Sequence, residues 1–178
     1  MPEGTENSYQ GTASGFAGRA ILEGSFYRDA KITSSLTLQD PGQAGVIVRS
    51  SGAADAFNGY VVLLAIPQDG SACAGQAPQP GGGSARVLIS KVSNGSGTQV
   101  ACKNLSLTLG TSYTLTVRAV ASTLTVSIGG TQHLNWTDVS SPYTGGRTGL
   151  RVTAVATGQT ARALFATHNA ATCTGSCP

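Results

Sequence analysis

The acidic residues are the first place to look for chemistry, because a polysaccharide-cleaving enzyme needs two carboxyl groups held a few ångströms apart. The sequence contains eight acidic residues: Glu3, Glu6, Glu23, Asp29, Asp40, Asp55, Asp69 and Asp138. Only the first two are close in sequence, and a Gly-x-Ser-x-Gly nucleophile motif is missing. We therefore predict that the protein is not an enzyme. If it were one, Asp138 or Asp55 would be the acid in its cleft.

Two predicted loops carry the side chains that sugar recognition uses. Aromatic faces pack against the C–H bonds of a sugar, and polar groups satisfy its hydroxyls. The candidate ligand-binding residues are Arg49, Asp55, Asn58 and Tyr60 in the first loop, and Asn135, Trp136, Asp138, Tyr143 and Arg147 in the second. We expect Asp138 and Arg147 to bracket a hydroxylated ring while Trp136 or Tyr143 stacks on it.

Some of these residues also have a structural interpretation. Trp136 is the only tryptophan, and a lone tryptophan in a β-sandwich is often part of the core. Tyr60 opens an apolar run and is expected to face the core, whereas Tyr143 follows Ser-Ser-Pro and is expected to be exposed. Arg49 ends an apolar strand, so a surface or capping role competes with ligand binding.

Short strands with alternating apolar residues dominate the chain. In Lys31 to Leu38, Ile32, Leu36 and Leu38 share one face. Tyr60 to Ile66 is an unbroken apolar run, which predicts a strand buried on both faces. About eleven such segments occur at regular spacing, and no helical periodicity is present. The pattern predicts an all-β fold of two packed antiparallel sheets with little or no helix.

The four cysteines predict disulfides, although free thiols and a zinc site are alternatives. Residues 57–67, 85–93 and 97–103 are predicted to form an up-down-up meander. Cys73 and Cys102 then lie at the same end of one sheet, and we predict that they pair. Cys173 and Cys177 are predicted to close the C-terminal tail.

Composition and charge exclude several classes of function. Charged residues make up 11% of the chain, and its 11 basic residues are scattered singly, so we predict no nucleic-acid partner. No apolar run is long enough for a membrane span. The N-terminus lacks the features of a signal peptide. Either a signal was removed from an exported protein or, the interpretation we favour, the chain is one module of a longer secreted or cell-surface protein.

Six segments occur in an order that resembles the laminin-G-like, concanavalin-A-like jelly-roll domains of secreted bacterial proteins. These segments are Ala44 to Arg49, Asn58 to Leu63, Val87 to Gly95, Tyr113 to Arg118, Leu124 to Gly130 and Gly146 to Arg151. The resemblance covers about 140 residues and implies a two-sheet jelly-roll sandwich. It also implies a module that binds carbohydrate or mediates adhesion.

The resemblance raises the questions of calcium and of catalysis. Many family members carry Phe-Asp on the last strand, where the acid can bind calcium, but this chain has Phe165-Ala166. With so few carboxylates, calcium is possible but not favoured, and we predict no cofactor or metal. The Glu-x-Asp-x-x-Glu strand of jelly-roll glucanases is missing. The Gln-x-His strand of jelly-roll lyases is missing too, since Gln132 and His133 are adjacent.

We predict a non-catalytic carbohydrate-binding module whose partner is a polysaccharide or glycan. The alternative is a structural or adhesive subunit, such as a fibre head, a surface-layer piece or a filament, that self-associates through its sheet edges. A polysaccharide-cleaving enzyme is a third interpretation. The predicted organisation is an N-terminal segment packing on the domain (1–29), the sandwich (30–169) and a disulfide-closed tail (170–178).

Overall fold

The computed structural model describes residues 9–14, 17–21, 26–53, 56–68, 72–76, 85–154 and 158–173. These residues form twelve β-strands and no helix, and therefore no helix that could cross a membrane. The strands are β1 (Tyr9–Ser14), β2 (Ala17–Ile21), β3 (Ala30–Leu38), β4 (Gly42–Ser51), β5 (Asn58–Ile66), β6 (Arg86–Ser93), β7 (Ser96–Asn104), β8 (Ser112–Val120), β9 (Thr123–Ile128), β10 (Thr131–Thr137), β11 (Arg147–Thr153) and β12 (Thr160–Thr172).

The strands form two six-stranded antiparallel sheets that pack face to face. Sheet 1 has the order β1-β12-β3-β8-β9-β10, and sheet 2 has the order β2-β11-β4-β5-β6-β7. The predicted meander is present as β5, β6 and β7, which are neighbours in sheet 2. The all-β, two-sheet jelly-roll sandwich predicted from the sequence is confirmed.

The main core lies between the two sheets and follows from period-2 alternation. In β3, buried residues alternate with half-buried ones along the whole strand, and Ile32, Leu36 and Leu38 point inward as predicted. Sheet 2 contributes residues such as Val62 and Leu64 of β5 to the same core.

A second apolar cluster buries the outer face of sheet 2. It contains Ile47, Phe57, Val61, Leu63, Ala65, Leu88 and Val92. This explains why Tyr60 to Ile66 is an unbroken apolar run, because its strand is buried on both faces. This part of the outer face of sheet 2 is therefore closed to solvent.

Both chain ends contribute strands. Within the segment predicted to pack on the domain, β1 pairs with β12 and β2 pairs with β11, so residues before position 30 extend both sheets. At the other end β12 continues to Thr172, and the predicted boundary after residue 169 falls inside it. Cys173 follows this strand and is disulfide-bonded, while its predicted partner Cys177 lies outside the described residues.

Cys73 and Cys102 form a disulfide, as the predicted meander requires. Cys73 is buried, and its backbone N–H donates to the side-chain oxygen of Asn104, the last residue of β7. A second hydrogen bond joins the same segments, because the side-chain oxygen of Gln76 accepts from the Asn104 backbone N–H. The bridge and these hydrogen bonds hold residues 72–76 against the end of sheet 2.

Replacing both cysteines by alanine, in the variant Cys73→Ala/Cys102→Ala, should lower the free energy of unfolding by about 3 kcal/mol. The reason is that the bridge joins residues 29 apart and so restricts a long loop in the unfolded chain. Urea denaturation followed by circular dichroism measures the change. Equal urea midpoints for the variant and the non-reduced wild type would contradict the expectation.

Candidate functional site

The site begins with a β-bulge that redirects the side chain of Arg49. Between β4 and β5 the register shifts from Val48 to Ser51, so two residues of β4 stand opposite Gly59 alone. Arg49 adopts a φ of 54°, a left-handed conformation that is uncommon for residues other than glycine. By alternation Arg49 would follow Ile47 onto the outer face of sheet 2, but the bulge turns it towards the end of the sandwich.

There the guanidinium of Arg49 joins three separate segments, and the residue as a whole is only 2% exposed. Its Nε donates to the Arg28 carbonyl at 2.9 Å, and its Nη1 donates to the carbonyls of Ala121 and Tyr143. Its Nη2 pairs with Asp29 at 3.2 Å. A buried guanidinium is stable only with this kind of saturation, so these bonds fix three loops at one end of the molecule.

The Tyr60 hydroxyl also links the core to the chain segment 138–143. It donates to Asp138 Oδ2 at 2.7 Å and accepts from the Tyr143 N–H at 2.9 Å. The rings of Trp136 and Tyr143 pack against the Tyr60 ring with centroids 5.8 and 5.3 Å away. Tyr60 is fully buried, as predicted, and anchors both ends of segment 138–143 to the core.

Lys91 of β6 completes this arrangement from the other side. Its ammonium lies 2.7 Å from Asp138 Oδ2, donates to the carbonyls of Ser140 and Ser141, and stands 5.3 Å from the centre of the Tyr143 ring. Segment 138–143 is thus bound to β5 and β6. We call Arg49, Tyr60, Lys91, Asp138 and Tyr143 the loop clip.

Contacts within the clip shift the pKa values of two of its side chains, Asp138 and Tyr60. Burial acts to raise the pKa of Asp138, but hydrogen bonds from Lys91, Tyr60 and the Ser140 N–H outweigh it and hold that pKa below its usual range. Burial and the bond to Asp138 raise the pKa of Tyr60 well above its ordinary value. At neutral pH the clip therefore contains an ionised carboxylate and an un-ionised tyrosine.

Beyond the clip, a pair of glycines lets the chain pass close to the bulge. Gly146 exchanges two backbone hydrogen bonds with Tyr27, and a Cβ on Gly146 would lie 2.6 Å from the Arg49 carbonyl oxygen. A Cβ on Gly145 would lie 2.8 Å from the ring of Phe26. Only glycine fits at position 146, because the clash there is with backbone, whereas a side chain at position 145 would require the Phe26 ring to move.

These constraints shape a cavity of about 480 Å³, which we call the loop-end cavity. Segments next to the bulge, next to the glycine pair and along β2 line it. Its lining residues are Arg19, Ile21, Phe26, Ser50, Ser51, Gly52, Ala53, Phe57 and Arg147. The cavity combines aromatic rings, hydroxyls and guanidinium groups, a combination suited to a polar ligand with an apolar face.

The two phenylalanines of the loop-end cavity differ in exposure. Phe26 is 68% exposed, and its ring lies over Gly145. Phe57 is buried, with the guanidinium groups of Arg19 and Arg151 at 5.0 and 5.8 Å from its ring centre. Phe26 therefore offers an open aromatic face, whereas Phe57 forms the floor.

The structure separates the predicted ligand residues into different environments. Arg147 is exposed and lines the loop-end cavity. Arg49 and Tyr60 of the first predicted loop meet Asp138 and Tyr143 of the second in the clip, a contact that was not predicted. There, protein groups occupy their polar atoms. Tyr143, expected to be exposed, is half-buried.

Four other predicted ligand residues that the structure describes do not line the loop-end cavity: Asn58, Asn135, Trp136 and Asp138. Asn58 accepts a hydrogen bond from the Asn94 N–H and supports the β6–β7 turn, and Asn135 is exposed on β10. Trp136 and Asp138 line a separate groove of about 350 Å³ with Val139. Asp138 and Arg147 therefore line different cavities. Asp55 lies outside the described residues.

Arg19, Phe26 and Phe57 were not predicted from the sequence. The signal for Phe26 was weak but present, because an aromatic residue in a polar stretch outside any alternating strand has no evident core role. Arg19 had no such signal, since it becomes a site residue only through the pairing of β2 with β11.

The described residues hold no group of three or more His, Cys, Asp or Glu side chains placed to bind a metal.

No protein-family model and no curated protein sequence matches the chain. Solved structures do match. One is a carbohydrate-binding module of family CBM66 from Bacillus subtilis, with 21% identity, 90% of this chain and 84% of that chain covered, and a TM-score of 0.71.

Two further solved structures show how widely the fold is used. A glycoside hydrolase family 16 endo-glucanase from Bacteroides ovatus is 16% identical, with 96% of this chain and 84% of that chain covered and a TM-score of 0.62. The luminal domain of VIP36, bound to calcium and Man3GlcNAc, is 14% identical over 88% and 82% of the chains, with a TM-score of 0.55. At these identities the likeness establishes the galectin-like, concanavalin-like jelly-roll fold.

Removing the Tyr60 hydroxyl in Tyr60→Phe should lower the free energy of unfolding by about 2–3 kcal/mol. The change leaves a buried carboxylate with one donor fewer and a backbone N–H without its acceptor. Tyr143→Phe is the matched control, because among the described residues its hydroxyl bonds to Ser93 alone, at an exposed position, and it should cost less than about 0.5 kcal/mol. Equal urea midpoints for the two variants would show that the clip does not stabilise the fold.

The lowered pKa of Asp138 predicts a pH dependence of stability. Its contribution is fully present above the unfolded-state pKa of about 4 and is lost as the pH falls through the folded-state pKa. Between pH 5 and pH 2.5 the wild type should therefore lose more unfolding free energy than Asp138→Asn, which starts lower at pH 5. Parallel pH profiles from urea titrations of the two proteins would refute the role given to this carboxylate.

Proposed function

We propose that the protein is a non-catalytic carbohydrate-binding module and that the loop-end cavity is its sugar site. One observation carries the proposal: the exposed ring of Phe26 shares a cavity with the Arg147 side chain and the segment around Ser50 and Ser51. An aromatic face binds the C–H side of a sugar ring, and guanidinium and hydroxyl groups bind its oxygen atoms.

The dimensions of the cavity support the proposal. A volume of about 480 Å³ falls within the range of about 300–1,000 Å³ that small-ligand sites occupy, which is ample for one or two sugar rings. Binding is expected to be weak, because sugar hydroxyls exchange bonds to water for bonds to protein. We expect a dissociation constant of about 10 µM to 1 mM.

The three carboxylates that the structure describes favour binding over catalysis. Asp29 pairs with Arg49, Asp40 with Arg162, and Asp138 with Lys91, so each described acid already has a basic partner. None of them lines the loop-end cavity. A glycosidase uses two carboxyl groups that flank the bond to be cut. Because one fold hosts both modules and hydrolases, hydrolysis still has to be assayed directly.

The disulfides support a location outside the cytoplasm. Cys73 is bonded to Cys102, and Cys173 is also disulfide-bonded. Such bonds persist in oxidising compartments. We therefore propose that the module acts in a secreted or cell-surface protein, where polysaccharides and glycans are accessible partners.

The test combines a glycan array with calorimetry on the wild type and on Phe26→Ala. We expect binding to a defined set of glycans, no release of reducing sugar from them, and a loss of affinity of about tenfold or more in Phe26→Ala. The loss arises because the variant removes the open aromatic face. Since Phe26 is 68% exposed, the thermal stability of the variant should stay close to that of the wild type.

Val139→Ala is the matched control, because Val139 is 92% exposed and lies in the separate groove with Trp136. It should bind like the wild type. Full binding by Phe26→Ala together with lost binding by a folded Trp136→Ala would move the sugar site to that groove. A protein that binds no glycan and forms oligomers or filaments on size-exclusion chromatography would instead support the adhesive alternative.

A further inference from the structure

Ser50 is a buried polar residue in the wall of the loop-end cavity. It follows the bulge at Arg49 in β4, and the residue as a whole is only 5% exposed. Within the described part of the chain, its hydroxyl forms no hydrogen bond with another protein group. A buried hydroxyl without a protein partner is unusual, because an unmet hydrogen bond costs free energy. The Ser50 hydroxyl is therefore a candidate for a contact with a ligand.

The pairing of β4 with β11 determines where the Ser50 side chain lies. Ser50 stands opposite Arg147 in the antiparallel register, and residues that face each other directly across two strands lie on the same face. Arg147 is exposed and lines the loop-end cavity, and Ser50 lines it too. The small exposed fraction of Ser50 thus opens into this cavity.

Ser50 also lies close to the exposed ring of Phe26. A Cβ on Gly145 would lie 2.8 Å from that ring, and a Cβ on Gly146 would lie 2.6 Å from the Ser50 carbonyl oxygen. Since consecutive Cα atoms are only about 3.8 Å apart, the aromatic ring and Ser50 flank neighbouring residues of one short segment. A single sugar ring is wide enough to place its C–H face on Phe26 and one of its hydroxyls beside Ser50.

The hydroxyl of the next residue, Ser51, has a different environment. Ser51 lines the same cavity but is exposed, so water can satisfy its hydroxyl whether or not a sugar is bound. Ser50 has little access to water once a ligand covers the cavity. A ligand without a matching hydroxyl would then leave the Ser50 hydroxyl unpaired, which is the condition under which a site discriminates strongly between ligands.

We infer that the Ser50 hydroxyl recognises one free hydroxyl of the sugar ring that stacks on Phe26. The ligand class is therefore a sugar in which this hydroxyl is present and unsubstituted, and rings that lack it bind more weakly. The inference rests on the proposed function, because it assigns a selective contact within the same site. Ser50 acts here as a specificity-determining residue, whereas Phe26 supplies contact area that most sugar rings can use.

The experiment measures the affinity of the wild type for small sugars of known structure. The parent compounds are the methyl glycosides of glucose, galactose, mannose, fructose, xylose and N-acetylglucosamine, and each is compared with forms in which one hydroxyl at a time is replaced by hydrogen. For a parent that binds, removing one particular hydroxyl should weaken binding about tenfold, equivalent to about 1.4 kcal/mol. Removal of the other hydroxyls should have smaller effects. Calorimetry measures the affinities, and this comparison needs no variant.

Variants test whether Ser50 causes the discrimination. Ser50→Ala should bind the parent about tenfold more weakly than the wild type does, but should bind the critical deoxy form within about twofold of the wild-type value. The ratio of the two affinities should therefore fall to about twofold or less. Ser50→Gly is an independent change in case Ser50→Ala fails to fold, and circular dichroism checks the fold of both.

Ser140→Ala is the matched control, because it also removes one serine hydroxyl. Ser140 is exposed and lines the separate groove with Trp136. The variant should leave the ratio of parent to deoxy affinity unchanged.

The outcomes separate the inference from the proposed function. If the wild type binds every deoxy form as tightly as its parent, the inference is overturned and sugar binding stands. The same holds if folded Ser50→Ala keeps the wild-type ratio, or if larger glycans bind but none of the methyl glycosides does, since one ring would then not carry the contacts. If no glycan of any size binds, the proposed function and the inference fail together.

Discussion

The buried hydroxyl of Tyr60 holds the loops at one end of this molecule in place. A polar group in the core of a sandwich must find partners, and this one donates to Asp138 and accepts from the Tyr143 N–H. The carboxylate in turn requires the Lys91 ammonium, and the Tyr143 carbonyl accepts from Arg49. Because each of these buried groups satisfies another, segment 138–143 has one arrangement and cannot shift without breaking several bonds.

The hydrogen bonds of the loop clip determine the shape of the loop-end cavity. The β4 bulge sends Arg49 into the interior and starts the wall formed by residues 50–53, while the chain leaving the clip reaches Arg147 through Gly145 and Gly146. A side chain on Gly146 would collide with the backbone of Arg49. The two walls are thus built from one tightly packed junction, although they come from distant parts of the sequence. The apolar cluster on the outer face of sheet 2 is buried, whereas the loop end carries an open cavity.

Hydrophobic patterning made much of the fold predictable. The alternation in β3, the continuous apolar run of β5 and the β5–β6–β7 meander follow directly from period-2 burial, and the meander led to the Cys73–Cys102 bridge. The strands β1 and β2 were not recognised, because they are short edge strands that contain glycine and carry little alternating signal. Their identity depends on pairing with β12 and β11 at the far end of the chain.

The site was less predictable, for a physical reason. The sequence identified four polar residues as candidates for ligand binding: Arg49, Tyr60, Asp138 and Tyr143. A sequence does not tell whether such polar atoms form hydrogen bonds with one another or with a ligand. A bulge that reverses one side chain decides that question for Arg49, and bulges have no clear sequence signature here. Arg19 and Arg151 meet only because two strands separated by more than 120 residues pair in one register.

The proposed glycan site lies at the loop-end cavity, which the clip shapes, and not in the groove at Trp136. Titration of ¹⁵N-labelled protein with the tightest-binding oligosaccharide from the array tests it residue by residue. We predict that the amide signals of residues 19–21, 50–53 and 145–147 move, while the indole N–H of Trp136, the only tryptophan, stays in place. Movement of the indole signal with unchanged amides at 50–53 and 145–147 would contradict the account.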